Sequence, residues 1–232
     1  MLKMKLDAAR QALRRRAIVL EMGGFRPPDD PLASWFGRVS CAAPGEDWPT
    51  SGGEAMHALC QINLTEMPFR PTGLGDVELI TVFIGPGELP THAANGANWC
   101  LRAYSSLAQL VPLPAQDTGT RIKSLPLRPH IIEADYPVWE DVDINLDQTV
   151  AARYEEYFAN ASGFKLGGWP TLIQSAIHWA PGNNHPAAPK YVFQIDSTAK
   201  GNWLWGDHGV GYFGRGTSLG YENEWICTWQ CH

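Results

Sequence analysis

Short runs of apolar residues, separated by Gly, Pro and polar residues, follow one another along most of the chain. Their length and punctuation are typical of β-strands. The runs that predict strands are 58–64, 77–84, 99–105, 128–136, 191–196, 210–214 and 224–231. Strand runs and helical runs do not alternate regularly, which disfavours a doubly wound parallel sheet. We therefore expect an α+β fold with a mostly antiparallel sheet.

The N-terminal segment has the spacing of a helix instead. Apolar residues recur there at Leu6, Ala9, Leu13, Ala17 and Leu20, which predicts a helix over 1–22. The remaining positions give this helix a basic face, formed by Lys3, Lys5, Arg10, Arg14, Arg15 and Arg16. We interpret it as a solvated helix that docks on the domain, and binding of the basic face to a membrane surface or a nucleic acid is the alternative.

A mid-chain helix is predicted over 147–159. Asp147 is its candidate N-cap, because a carboxylate there can accept from the first backbone N–H groups. Its apolar side is formed by Val150, Tyr154, Tyr157 and Phe158.

Composition narrows the class of protein. The chain has 232 residues, of which 44% are hydrophobic, and a formal net charge of −6. This length suits one β-rich domain over 1–232. The negative charge disfavours nucleic acid as the direct partner and is compatible with a basic protein partner.

The sequence also predicts the compartment. No apolar stretch reaches the roughly 18 residues of a membrane helix, and the N-terminus lacks the pattern of a signal peptide. The five cysteines are odd in number and scattered, which favours reduced thiols. We expect a cytoplasmic protein without a membrane partner.

Three short motifs occur twice, in the same order. Trp48-Pro49-Thr50 returns as Trp169-Pro170-Thr171, Gln61-Ile62-Asn63 returns as Gln194-Ile195-Asp196, and Gly75-Asp76 returns as Gly206-Asp207. The set predicts a duplicated unit of loop, strand, turn and strand. The two pseudo-repeated halves, roughly 34–110 and 160–232, would pack as one domain.

The residues of these motifs resemble those of the YwqG-like family. The resemblance rests on Gly167-Gly168-Trp169-Pro170, Gln174, Phe193-Gln194-Ile195-Asp196-Ser197, Trp205-Gly206-Asp207-His208-Gly209 and Tyr212-Phe213, and in the first half on Gly37, Trp48-Pro49 and 59–64. It extends from Ser34 to the C-terminus and is poor over 85–160. It implies a bacterial protein with an α+β fold and no established catalytic residue. Some members of the family resemble immunity proteins, which bind and neutralise antibacterial toxins.

The turn Trp205-Gly206-Asp207-His208-Gly209 raises the question of catalysis. Asp207 and His208 could form an acid/base pair, but neighbours on a strand point to opposite faces. Asp after Gly commonly braces a turn, and the matching Asp76 is followed by Val77 rather than by His. We therefore interpret Trp169, Pro170, Trp205, Gly206 and Asp207 as structural.

Gln194 and Asp196 share one face of a strand, as Gln61 and Asn63 do. If that face is buried, each polar group must be paired. The alternative is a site for an enzyme or a small ligand at the junction of the halves, formed by Gln194, Asp196, Asp207 and His208.

Two further motifs lack the context that their chemistry needs. Ser218 lies in a Gly-x-Ser-x-Gly pattern, but no helix follows it as a nucleophile elbow requires. Cys227, Cys231 and His232 do not have the spacing of a zinc site. The sequence predicts no catalytic residue, no cofactor and no metal.

An acidic segment lies between the predicted halves. From 133 to 147 it contains no Lys or Arg, and Tyr136 and Trp139 lie among its charges. Its acidic residues are Glu133, Asp135, Glu140, Asp141, Asp143 and Asp147. A solvated loop is one interpretation. The other is a docking surface, on which carboxylates steer a basic partner and an aromatic side chain anchors it.

We expect a non-enzymatic protein that binds another protein through this segment. The resemblance favours an immunity protein that neutralises a toxin or effector domain in the cytosol. A nuclease is one such toxin, because it must present a basic surface to nucleic acid. The alternative remains an enzyme or a small-ligand-binding protein.

Overall fold

A computed structural model describes residues 2–27 and 29–232. The fold is mostly antiparallel β-structure with few helices. The helices are α1 (Leu2–Leu13), α2 (Gln148–Ala151) and α3 (Tyr154–Tyr157), with 3-10 turns at Leu64–Glu66, Trp139–Asp141 and Pro181–Asn183. The strands are β1 (Arg15–Met22), β2 (Trp35–Phe36), β3 (Cys41–Ala42), β4 (Thr50–Ser51), β5 (Glu54–Ala55), β6 (His57–Asn63), β7 (Leu79–Ile84), β8 (Trp99–Tyr104), β9 (Val111–Pro112), β10 (Leu125–Asp135), β11 (Lys165–Gly167), β12 (Lys190–Asp196), β13 (Val210–Arg215) and β14 (Trp225–Gln230).

Ten of these strands form one sheet. Their order is β14-β13-β12-β11-β1-β10-β2-β6-β7-β8, and each neighbouring pair is antiparallel. The long strands β1 and β10 form the central pair. Four strands from the C-terminal part of the chain extend the sheet on one side, and four from the N-terminal part extend it on the other.

The seven predicted strand runs are confirmed as β6, β7, β8, β10, β12, β13 and β14. Their ends shift by no more than about three residues, which is normal for hydrogen-bond assignments. β7 is buried along its whole length, so its sequence is a continuous apolar run interrupted only by Thr81. The mostly antiparallel sheet and the presence of an N-terminal helix are therefore as expected.

The predicted N-terminal helix is too long. The helix ends at Leu13, and β1 follows from Arg15 to Met22. β1 pairs with β10 on one side and β11 on the other, so its backbone groups are satisfied by two neighbours. Ala17, Ile18 and Leu20 are buried in this position. Met1 of the predicted helix lies outside the described residues.

The mid-chain helix begins as predicted but is broken in two. The Asp147 carboxylate accepts from the Thr149 backbone N–H at 3.0 Å, so the predicted N-cap is confirmed. Arg153 leaves the helical conformation at φ −129° and separates α2 from α3. The break lets the Tyr154 ring stack on Phe158 at 4.5 Å while its hydroxyl donates to the Pro137 carbonyl.

The two sides of the sheet, meaning the four strands on either side of the β1–β10 pair, contribute to one main core. Phe193 stacks on Phe213 with ring centroids 4.4 Å apart, and Trp99 from the opposite side of the sheet meets Phe213 edge-on at 6.2 Å. Both sides contribute fully buried side chains to this core. Three smaller clusters cover the rest: one under the helices and one on the outer face of each side of the sheet.

None of the helices in the described residues has the length and apolar character needed to cross a bilayer.

Candidate functional site

A buried ion pair lies beside the central strands. Lys165 on β11 places its Nζ 3.2 Å from Oδ2 of Asp135 at the end of β10, and neither side chain is exposed. The Asp135 carboxylate also accepts from the backbone N–H groups of Ala161 and Trp169, both at 2.7 Å. Burial lowers the pKa of Lys165, and the charge of Asp135 opposes that shift. The pair therefore joins β10, β11 and the loop after β11.

This ion pair explains the Gly-Gly-Trp-Pro motif. Gly168 has a φ of +68°, and a Cβ at this position would lie 2.2 Å from Oδ2 of Asp135. Only glycine fits there. The next residue, Trp169, is buried and donates its Nε1 hydrogen to the Leu13 carbonyl at 2.7 Å. The motif thus fixes the end of α1 against the sheet.

Gln194 and Asp196 are occupied by internal hydrogen bonds. Gln194 Oε1 accepts from the Thr171 N–H at 2.8 Å, and its Nε2 donates to Oδ1 of Asp196 at 2.7 Å. The other carboxylate oxygen of Asp196 accepts from the Gly163 N–H. Burial raises the pKa of Asp196, and these two hydrogen bonds and Lys165 oppose the shift.

Gln61 likewise forms hydrogen bonds to the backbone of neighbouring loops, on the other side of the sheet. Its Oε1 accepts from the Ser40 N–H at 2.9 Å, and its Nε2 donates to the Pro31 and Ala33 carbonyls at 2.8 and 2.9 Å. Gln61 is fully buried, as Gln194 is. Both amides therefore fix the loops beside a short strand.

The residues proposed for a junction enzyme are not brought together. Asp207 and His208 lie in an exposed turn, whereas Gln194 is fully buried. Within the described part of the chain, no hydrogen bond joins either of the first two side chains to Gln194 or Asp196.

The two Gly-Asp turns are used differently. Asp76 receives two hydrogen bonds from Arg215 on β13, at 2.6 and 2.7 Å, and these lower the pKa of Asp76. It therefore links the two sides of the sheet. Asp207 lies in a turn closed by the bond from the Gly209 N–H to the Trp205 carbonyl at 2.9 Å, and the Trp205 ring is fully buried.

Ser218 lies in the turn between the antiparallel strands β13 and β14, which is not the strand-to-helix turn of a nucleophile elbow. Cys227 is fully buried, and burial raises the pKa of its thiol. All five cysteines are free thiols. Within 2–27 and 29–232, no group of three or more His, Cys, Asp or Glu side chains is arranged to hold a metal ion.

Much of the acidic segment is neutralised by the chain itself. The basic residues around α1 fold onto it: Lys5 Nζ lies 2.6 Å from Oδ2 of Asp147, and Arg14 and Arg16 lie within 4 Å of the Glu133 carboxylate. Helix α1 docks on the domain through its apolar residues, and Lys5 of its basic face pairs with the acidic segment.

Two residues predicted for the docking surface lie inside the protein. Asp135 is fully buried beside Lys165, as described above, and Tyr136 is buried with its ring 5.1 Å from Phe158. Asp141 is partly buried; burial raises its pKa, and the nearby Arg15 opposes the shift. Placing Asp135 and Tyr136 on the surface was wrong, because β10 ends at Asp135 with its carboxylate held by the buried Lys165, and the following Tyr136 packs on Phe158.

The exposed residues that remain in the segment, together with Glu155 of α3, form a surface that we call the acidic ledge: Trp139, Glu140, Asp143, Ile144 and Glu155. The Trp139 side chain is 51% exposed, although its ring meets the Tyr154 ring edge-on at 5.3 Å. The three carboxylates make no ion pair with any described residue.

Two clefts flank the Trp139 indole. One, of about 290 Å³, continues along 151–156 and includes Glu155. The other, of about 610 Å³, includes Glu140 and Ile144. The indole therefore stands as a ridge between two recesses, each with a carboxylate in its lining.

Residues 34–215 match the family model described as a domain of unknown function, DUF1963. The chain belongs to the DUF1963 family. No curated protein matches it.

The DUF1963 match begins at Ser34, where the resemblance noted in the sequence also begins. It includes the twelve strands from β2 to β13, together with α2, α3 and the whole acidic ledge. Helix α1, β1 and β14 lie outside the matched residues. The basic residues that neutralise Glu133 and Asp147 thus come from outside the DUF1963 match.

Sequence reasoning missed two residues, one in the acidic ledge and one in the buried ion pair. Ile144 is an exposed apolar residue between Asp143 and Asn145, and that isolation among polar neighbours was the available signal. Lys165 gave none, because it lies on a three-residue strand and its partner is 30 positions away.

Proposed function

We propose that this protein is a non-enzymatic binding protein that uses the acidic ledge to hold a basic surface of another protein. The observation that carries the proposal is the half-exposed Trp139 between two clefts, each lined by a carboxylate that forms no ion pair with a described residue.

Trp139 has the properties of an anchor. Exposed tryptophans with a rigid base dominate many protein interfaces, because they bury a large area at little entropic cost. The base here is Tyr154, which is itself buried and held by the Pro137 carbonyl at 2.9 Å. Trp139 can therefore enter a partner pocket without first being ordered.

Glu140, Asp143 and Glu155 supply the charge. The paired acids of the segment already have internal cations, so a basic partner gains little from them. The three unpaired carboxylates keep their charge available, and they add to a net charge of −6. Such a surface accelerates association with a basic partner and disfavours an acidic one.

The class of partner follows from this charge. A toxin that acts on nucleic acid presents a basic surface to phosphates, and an acidic ledge can occupy that surface. The YwqG-like resemblance, with its immunity-like members, supports an immunity protein that neutralises such a toxin or effector domain. Five free thiols, four of them buried, support action in the cytoplasm.

We also infer that the two sides of the sheet are pseudo-repeats of one unit. Gln61 pairs in register with Trp35, the first residue of β2, and Gln194 pairs with Lys165, the first residue of β11. Each short strand joins a central strand, and three longer strands follow in the same order outwards. A duplicated scaffold would leave the segment between its halves free to specify the partner.

The test uses the protein encoded by the gene adjacent to this one, with its affinity measured by titration calorimetry. Trp139→Ala should weaken binding by about tenfold or more, as loss of an anchor does. The double variant Glu140→Lys/Glu155→Lys should slow association and weaken binding, more strongly at low salt than at high salt.

Glu54→Lys/Glu88→Lys is the matched control. Both residues are exposed and lie away from the ledge sequence, and the change in net charge is the same. Equal effects of the two double variants would reject a specific ledge. Binding that survives Trp139→Ala and Glu140→Lys/Glu155→Lys unchanged would place the interface elsewhere.

A further inference from the structure

A third recess lies on the outer face of the N-terminal side of the sheet and shares no lining residue with the two clefts at the acidic ledge. It has a volume of about 550 Å³, within the range of small-molecule sites. Its floor includes Ala58 on β6, and one wall is the extended segment 113–124, which follows β9. We call it the outer groove.

The outer groove is lined mainly by apolar side chains. They include Val39, Trp48, Ala58, Leu113 and Ile122. Three of them, Val39, Ala58 and Leu113, also belong to the buried cluster beneath, so the floor is continuous with packed core. The Trp48 indole is fixed by the bond from its Nε1 to the Met56 carbonyl at 2.8 Å and by edge contact with Phe83.

The wall is held in place at several points. Gly37 has a φ of +66°, and a Cβ there would lie 2.4 Å from the Lys123 carbonyl oxygen, so strand β2 and the wall approach as closely as glycine allows. The Ser124 hydroxyl donates to the Gly37 carbonyl at 3.1 Å, and the Lys123 N–H donates to the Gly201 carbonyl at 2.9 Å. The groove is therefore preformed rather than opened by a ligand.

One charged side chain lines the outer groove, and it is cationic. Arg38 Nε donates to the Ser40 hydroxyl at 2.9 Å, and its guanidinium lies 4.7 Å from the centre of the Trp35 ring. Its two Nη groups make no hydrogen bond or ion pair with a described residue. The Trp35 Nε1, in the ring beneath, is buried without an acceptor in the same described residues.

We propose that the outer groove binds a small, largely apolar molecule that carries one acidic group. The apolar body would lie against Trp48, Ala58 and Leu113, and the acidic group would accept from the Arg38 guanidinium. A planar guanidinium with free Nη groups matches a carboxylate, sulfonate or phosphate in a two-point contact. Because no carboxylate lines the groove, a cationic ligand has no counterpart there.

Two fluorescent probes with the same kind of apolar body test the proposal. 8-Anilinonaphthalene-1-sulfonate carries an acidic group, and N-phenyl-1-naphthylamine does not. We expect the sulfonate to bind the folded full-length protein at one site, with enhanced and blue-shifted fluorescence, and to bind more tightly than the neutral probe.

Variants locate the site. Arg38→Met should weaken sulfonate binding by about tenfold, the usual order for losing a hydrogen bond to a charged group, and leave the neutral probe unaffected. Arg38→Lys should restore most of the difference. Ala58→Phe should fill the floor of the groove and abolish binding of both probes. Ala115→Trp should block the groove from its exposed wall and also abolish binding, without a change in the core. Leu219→Ala, at an exposed apolar residue that lines neither the outer groove nor the acidic ledge, is the control and should change nothing.

Three results would overturn the proposal. The first is absence of one-site sulfonate binding to the unaltered protein. The second is an equal effect of Arg38→Met on both probes. The third is undiminished binding by a folded Ala58→Phe or Ala115→Trp variant, with folding checked by circular dichroism and thermal unfolding. None of these results bears on the acidic ledge, so the two proposals fail or succeed separately.

Discussion

Lys165 and Asp135 form an ion pair, 3.2 Å between Nζ and Oδ2, at a place where neither side chain reaches solvent. Two buried charges are tolerated only when their remaining hydrogen-bonding capacity is used. Asp135 meets this condition through the N–H groups of Ala161 and Trp169. The pair therefore connects β10 and β11 with the loops on either side of β11.

Breaking this pair from one side should be costly. Lys165→Met keeps the length of the side chain but leaves the Asp135 carboxylate buried without its cation. We expect a loss of about 3–5 kcal/mol in the free energy of unfolding, measured by urea denaturation. In the double variant Lys165→Met/Asp135→Asn the losses should not add, with a coupling energy of about 2 kcal/mol. Simple additivity would mean that the two side chains act independently.

Gln61 and Gln194 should contribute about equally to the free energy of unfolding. Gln61→Leu and Gln194→Leu each leave backbone groups of a neighbouring loop without a partner, so each should cost about 2–4 kcal/mol in unfolding free energy. Gln11→Leu, at an exposed position on α1, is the control and should change stability by less than about 0.5 kcal/mol. A loss at Gln61 or Gln194 no greater than that of the control would contradict their role as loop anchors.

The docking of α1 should depend on packing more than on charge. Leu13 is 1% exposed and lies in a cluster with Val150 and Trp169. Leu13→Ala should cost about 2–4 kcal/mol, because it removes buried apolar area and leaves a cavity. Lys5→Ala removes the exposed ion pair with Asp147 and should lower the stability only slightly. High salt should abolish this small difference, because it screens exposed charges. Thermal unfolding at two salt concentrations distinguishes the two contributions.

The free energy of unfolding should decrease as the pH rises above about 9. Burial raises the pKa of Cys60 well above 9.0, and burial also raises the pKa of Cys41 to about 11. A raised folded-state pKa means that the unfolded chain loses the proton first. The stabilisation is therefore complete below the unfolded pKa near 9 and is lost as the pH rises through the folded value.

Cys60→Ala tests this linkage. One proton fewer should reduce the slope of unfolding free energy against pH by about 1.4 kcal/mol per pH unit above pH 9. The cavity left by the thiol lowers stability equally at every pH, so it shifts the curve without changing its slope. Urea unfolding between pH 7.5 and 11, under reducing conditions, measures both. Parallel curves for the two proteins would contradict the assignment.

The main strands were predictable because their runs of apolar residues are the segments that the fold buries. β6, β7, β8, β12, β13 and β14 all appear where the sequence places them, within a few residues. Asp147 was recognisable as an N-cap because capping depends on residues only two or three positions away. The candidate ledge was recognisable in part, since Trp139, Glu140 and Asp143 stand out among their neighbours.

What the sequence by itself determined is the set of local preferences: the apolar runs, the cap, the Gly-Asp turns and the acidic segment. Only the tertiary structure decided that Arg15–Met22 is a strand, because its helical spacing loses to backbone pairing with β10 and β11 on both sides. Only the tertiary structure decided which carboxylates face solvent. Asp135 pairs with Lys165 and Asp147 pairs with Lys5, both distant in sequence, whereas Glu140, Asp143 and Glu155 form no ion pair with a described residue. The charge that a segment carries is local information; the charge that it leaves available depends on what folds against it.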